Sequence, residues 1–198
     1  MQRRTFIALC ATTALAGTLA ARWSQAAEGS TMGQLEPYLL LGEEAPWQGS
    51  VDQGYYRLDN ATGFNNGRLI TATAPATLQR VVVDVAPFGD GAYCGAGLVV
   101  NRVEDGGGWL AVALQPNGAL GIYRFDAQKG LERVAELPAQ GLDPNLMTRL
   151  ALENSAGGIA ILTNGQTCGS FSDVKLKGAC GIVAFDIGQF YFANFAMY

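Results

Sequence analysis

Between Gly95 and Phe125 the chain reads GAGLVVNRVEDGGGWLAVALQPNGALGIYRF, three apolar runs cut apart by turn-forming residues. No stretch of it carries helical periodicity at useful length, so the segment reads as strands. The first run, Gly95 to Arg102, gives way to Glu104-Asp105-Gly106-Gly107-Gly108, and the second, Trp109 to Gln115, to Pro116-Asn117-Gly118. Asn-Gly tolerates the positive φ angles of a tight hairpin turn. The third run, Leu120 to Phe125, then returns beside the second, which predicts an antiparallel meander.

The rest of the chain repeats the pattern. Candidate strands are Tyr55 to Asp59, Gly67 to Thr73, Gln79 to Val85, Leu131 to Leu137, Met147 to Glu153, Gly158 to Thr163, Gln166 to Phe171, Ala179 to Asp186 and Phe190 to Met197. In the third of these Val81, Val83 and Val85 share one face. Asn164-Gly165 supplies a second tight turn, and the 26 glycines follow no collagen period but fall where strands should turn. The expected fold is all-β, a two-sheet antiparallel β-sandwich or jelly roll, with a closed β-barrel as the alternative. At 198 residues and 49% hydrophobic composition, the chain can bury one sizeable core.

Residues 1–27 read as an export signal and not as part of the domain. Arg3-Arg4-Thr5-Phe6-Ile7 is a twin-arginine pattern, followed by a short apolar run and small residues at Ser24-Gln25-Ala26-Ala27. An ordinary secretory signal with two chance arginines is the other reading, and both place the protein in the periplasm or outside the cell. Residues 28–49 form an irregular lead-in, and residues 50–198 the sandwich. Cleavage near Ala27 removes Arg3, Arg4 and Arg22, leaving 10 basic against 17 acidic residues, a formal −7. Such a domain repels phosphate backbones and anionic lipid, so neither nucleic acid nor membrane insertion after signal cleavage is expected.

The chain has no histidine. That removes the commonest general base, the commonest zinc ligand and any Ser-His or Cys-His nucleophile. Cys94, Cys168 and Cys180 remain after cleavage, an odd number that allows at most one internal disulfide. Cys168 and Cys180 are the preferred pair, because QTCGSF and GACGIVAF could be neighbours in one sheet, although Cys94 could displace either. No CxxC spacing is present, and no metal or cofactor is expected.

From about Trp47 to Tyr198 the order of features resembles the concanavalin A-like lectin/glucanase superfamily, in the form of secreted bacterial domains of the 3-keto-disaccharide hydrolase-like and laminin G-like type. The resemblance rests on Tyr55-Tyr56-Arg57-Leu58, Gly95-Ala96-Gly97-Leu98-Val99-Val100, Trp109 to Leu114, Asn117-Gly118 and Ile122-Tyr123-Arg124. The Ile161 to Gln166 hairpin and the closing Phe192-Ala193-Asn194-Phe195 complete it. It implies a jelly-roll sandwich, a scaffold shared by lectins, glycosidases and adhesion modules. The glycosidases of that superfamily carry an E-x-D-x-E strand, which this chain lacks; Glu43-Glu44 and Glu104-Asp105 are adjacent pairs whose members point opposite ways on an extended chain. No catalytic residue is assigned.

One strand face offers a binding surface. Trp109, Ala111, Ala113 and Gln115 should project together, beside Gly95, Gly97, Val99 and Asn101 on one side and Gly121 and Tyr123 on the other. Trp109 and Tyr123 could stack on a sugar while Asn101 and Gln115 bond its hydroxyls; alternatively the face packs under another layer with Trp109 as core. The expectation is an exported, non-catalytic module that binds a glycan through this face. A protein-interaction or structural module of the cell envelope is the alternative partner reading, and a sugar-active hydrolase a third.

Overall fold

The alternating runs pair into an antiparallel sandwich in a computed structural model that describes residues 32–198 except 65, 104–106, 139–141 and 144–145. The leader expected over residues 1–27 and the Glu104-Asp105 pair lie outside the described residues. After a 3₁₀ turn at Gly33–Tyr38 come β1 (Gly42–Glu44), β2 (Trp47–Asp52), β3 (Tyr55–Asn60), β4 (Gly67–Thr73), β5 (Arg80–Arg102), β6 (Trp109–Leu114) and β7 (Leu120–Asp126). β8 (Gly130–Leu137), β9 (Thr148–Ser155), β10 (Gly158–Thr163), β11 (Gln166–Ser172) and β12 (Ala179–Met197) follow.

Two long strands, β5 and β12, pair with each other from Ala179↔Arg102 to Met197↔Val81, and each lends one half to each layer. The first half of β5 takes β9 as its other neighbour, and the second half of β12 takes β3. This builds the larger sheet, β1–β2–β3–β12–β5–β9–β10–β11. The second half of β5 pairs with β6 and the first half of β12 with β4, giving the smaller sheet, β4–β12–β5–β6–β7–β8. Neither sheet closes on itself, so the structure is a sandwich and not a barrel.

The core lies between the layers. Val81, Val83, Val85, Leu150, Leu152, Phe190 and Phe192 from the larger sheet meet Leu98, Val100, Leu110, Val112, Ile122 and Ile182 from the smaller. Each such side chain contributes about 1.5–3 kcal/mol when fully buried.

A ladder that serves two layers has to bend, and three register shifts along β5–β12 provide the bends. An Asn or Asp at positive φ marks each: Asn101 (58°), Asp186 (62°) and Asn194 (51°). These residue types tolerate the left-handed region better than most. The middle shift is the largest. Phe185 pairs with Gly95 and Ile187 with Asp90, so two steps along β12 face five along β5, and the segment from Gly91 to Cys94 bulges out.

The expected strands are present, with two mergers. Gln79 to Val85 and Gly95 to Arg102 are the ends of one strand, β5, and the last two candidates are the ends of β12. The intervening Gly, Pro and Asp residues look like breakers, but here they form bulges. Pro87 lies beyond Val85, the last β5 residue paired with β9, and before Ala96, the first paired with β6, so β5 has only β12 beside it there. The lead-in is more regular than its composition suggests: it supplies the 3₁₀ turn, β1 and the start of β2, with Leu35 and Trp47 in the core.

The expected Cys168–Cys180 disulfide does not form; Cys94, Cys168 and Cys180 are free thiols. The two runs are not sheet neighbours. β11 pairs with β10, whereas Cys180 on β12 lies opposite Ala72 of β4. The Cys168 Sγ donates to Ile161 O (3.4 Å) and the Cys180 Sγ to Lys177 O (3.9 Å). Burial pushes the Cys94 thiol up to about 12, helped by Asp186 and Asp90, and the Cys180 thiol up to about 11.

Two outcomes follow from this packing. At Gly181 an added Cβ would overlap the Ile70 carbonyl of β4, so Gly181→Ala should destabilise the fold by about 2–4 kcal/mol, read as a lower urea midpoint. The raised thiols are neutral in the folded chain while unfolded thiols ionise near 9.0, so their contribution is complete below pH 9 and is lost as the pH rises towards 12. Of these three thiols, alkylation with peptide mapping at pH 8 should label Cys168 first, and Cys94 and Cys180 only on unfolding.

Candidate binding face

The face of the smaller sheet turned away from the core collects small and aromatic residues. Val99, Ala111, Ala113, Tyr123, Val183 and Phe185 form a cluster there, with Trp109 and Leu69 half-buried against it. Gly97 of β5 and Gly121 of β7 continue the floor beside Ala113. Because β5 and β6 present mainly Gly and Ala, rings from more distant strands can meet over them. The Phe185 and Tyr123 rings approach to 4.9 Å, Trp109 lies 6.2 Å from Phe185, and Trp109 stacks on Phe125 at 5.4 Å and 11°. Gly121 has to be small, since a Cβ there would meet the Tyr123 ring.

The face is cupped. Gly67 on β4 and Leu131 on β8 belong to opposite edges of this sheet, five strand spacings of about 4.8 Å apart if it were flat. Both nevertheless line one cavity of about 260 Å³, together with Asn66, Tyr93, Phe185 and Asp186. The β8 edge also reaches the β5 bulge. Arg133 places its guanidinium 5.6 Å above the Tyr93 ring, and its Nη1 donates to Ala92 O (3.4 Å) and Glu136 Oε2 (3.0 Å). Beyond this contact lies a second cavity of about 390 Å³, whose lining includes Asp90, Gln115, Asn117, Arg133 and Glu136.

Tyr93 owes its position to the bulge, which lifts it off the sheet and leaves it 41% exposed. Its backbone N–H donates to Asp186 Oδ2 (3.3 Å). Asp186 is itself buried; its N–H donates to Asn66 O (2.8 Å) and its carbonyl accepts from Asn60 Nδ2 (2.7 Å). A bulge that re-aims one side chain is a common device beside binding sites.

The residues singled out in the sequence fall in different places. Trp109, Tyr123 and Gln115 share the cupped face. Trp109 is half-buried within the ring stack. Tyr123 is fully buried in the floor, where burial pushes its phenol up and Gln115 Nε2 donates to its hydroxyl (3.4 Å). Gln115 also lines the larger cavity. Asn101 sits in a bulge, where its Nδ2 donates to Lys175 O and its Oδ1 accepts from Lys177 N–H (both 2.9 Å), tying β5 to the segment before β12.

Phe185, Tyr93, Asp186, Arg133 and Glu136 were not foreseen. The alternation of Ile182 and Ala184 could have placed Phe185 on the outer face. Tyr93 carries no such signal, because a bulge breaks the period of two. Among the described residues no group of three or more His, Cys, Asp or Glu is arranged to hold a metal ion.

Since Trp109 packs against two phenylalanine rings, Trp109→Ala should lower stability by about 2–3 kcal/mol, somewhat less than truncation of a fully buried ring. A thermal melt followed by circular dichroism reads this directly.

No protein-family model matches the sequence, and no curated protein matches it. Solved structures do share the architecture. The carbohydrate-binding module CBM66 from Bacillus subtilis aligns with a TM-score of 0.50 at 12% identity, over 79% of this chain and 97% of that one. The Emp46p carbohydrate recognition domain, in its potassium-bound form, aligns with a TM-score of 0.52 at 14% identity, over 85% of this chain and 98% of that one. The GH43 protein BlXynB from Bacillus licheniformis aligns with a TM-score of 0.54 at 14% identity, over 80% of this chain but 36% of that longer one. At such identities the likeness is one of fold. Two open antiparallel sheets sharing β5 and β12, superposable on these domains, give this chain the two-sheet β-sandwich fold that they share.

Proposed function

We propose that this chain is an exported, non-catalytic module that binds a glycan on the cupped face of its smaller sheet. The observation that carries the reading is Tyr93, raised on a β-bulge at the mouth of that face, partly exposed and flanked by two cavities lined with carboxylates, amides and a guanidinium. An aromatic ring offers an apolar surface to the C–H face of a sugar, and planar polar side chains around it satisfy the hydroxyls. Domains that share the fold are a carbohydrate-binding module and a carbohydrate recognition domain, which supports the reading. Trp109, Tyr123 and Gln115 serve as the floor that holds the face in shape.

The export part rests on Arg3-Arg4 and the small residues before Glu28, and places the module in the periplasm or outside the cell. The non-catalytic part rests on the absence of histidine and of an E-x-D-x-E strand. A protein-interaction module of the cell envelope is the second reading. It draws support from edge strand β8, where Leu131 and Val134 are both exposed.

A glycan array probed with the purified full chain tests the primary reading. Binding to at least one sugar class is expected, with Tyr93→Ala weakening it about tenfold while circular dichroism stays unchanged. Failure to bind any sugar would leave the protein-interaction reading in place of this one.

A further inference from the structure

Resting on that reading, we infer that the two cavities flanking the Tyr93–Arg133 contact are adjoining subsites of one groove, and that the groove takes an uncharged oligosaccharide of at least two residues. Continuity comes from the contact itself. Tyr93 walls the cavity of about 260 Å³, Arg133 and Ala92 wall the one of about 390 Å³, and the guanidinium over the ring joins the two walls. Neither volume alone exceeds the lower part of the ~300–1,000 Å³ range of small-molecule sites. A ligand that spans the contact can use both.

The chemistry of the walls selects the charge of the ligand. Asp186 lines one cavity, and Asp90 and Glu136 line the other. Arg133 is the one cation among these lining residues, and Glu136 already accepts from it at 3.0 Å. The Arg133–Glu136 pair cancels its own charge, so a uronate or sulfated sugar would meet the net negative charge of Asp90 and Asp186, whereas the hydroxyls of an uncharged sugar can donate to the exposed carboxylates of Asp90 and Glu136. Asn66 in one cavity and Asn117 in the other hold their amide oxygens on Trp47 Nε1 (3.5 Å) and the Ala119 N–H (2.9 Å), which orients their Nδ2 groups to donate to the same hydroxyls. Arg133 lies over Tyr93 and the buried Tyr123 ring lies 6.4 Å from it, so the platform for the sugar is the part of the Tyr93 ring that remains exposed.

The test is calorimetric titration of the full chain with neutral gluco-, galacto- and manno-oligosaccharides of one to four residues, alongside galacturonic acid oligomers of the same lengths. A neutral series is expected to bind, at least tenfold tighter as a disaccharide or longer than as a monosaccharide, with the uronates at least tenfold weaker. Asn66→Ala and Asn117→Ala, each checked for an unchanged melt, should both erase most of the gain with length. Binding that does not depend on length, a loss confined to one of the two variants, or uronates binding as well as neutral sugars would overturn this inference and leave glycan binding standing. The absence of binding to any oligomer would overturn both.

Discussion

The antiparallel ladder between β5 and β12 is the interaction on which the rest of this molecule depends. It joins Val81 to Met197 at one end and Arg102 to Ala179 at the other, and both layers are assembled on it. A continuous ladder would run as one twisted ribbon within a single sheet. Three bulges, with Asn101, Asp186 and Asn194 at positive φ, turn it into a bent spine whose two halves face each other across the core. Interruptions that would weaken an ordinary strand are what make a sandwich from two strands.

The same bend produces the candidate site. β5 is longer than β12 across the central shift, and the surplus has to leave the sheet, carrying Tyr93 with it. Asp186, the β12 residue at that shift, accepts the Tyr93 N–H. Fold and site are therefore coupled: the residue that lets β12 bend also positions the aromatic side chain. The small sheet then curls until Arg133 of its far edge lies over the same ring. Glycine and alanine on β5 and β6 permit that curl and let Phe185, Tyr123 and Trp109 lie across the floor.

Local features were legible in the sequence. The boundaries of β4 and β10, the turns at Asn117-Gly118 and Asn164-Gly165, and the shared outer face of Trp109, Ala111, Ala113 and Tyr123 all match what alternation and turn chemistry indicate. Non-local features were not. Pairing QTCGSF with GACGIVAF required knowing which strands are neighbours, and the sheet order places β11 beside β10 and β12 beside β4. Asn101 falls on the right parity for a ligand contact, yet the bulge it occupies turns its amide to Lys175 and Lys177.

The sequence by itself determined the strand-forming segments, the turns and which residues of each strand share a side. Those properties depend on residues two apart, or on dihedral preferences at single positions. Only the tertiary structure decided that β5 and β12 run through both layers, that Cys168 of β11 and Cys180 of β12 form no bridge, and that Tyr93, Asp186 and Arg133 converge at the mouth of a cupped face. Those outcomes depend on contacts between distant segments and on where a bulge breaks the period, and no local pattern encodes either.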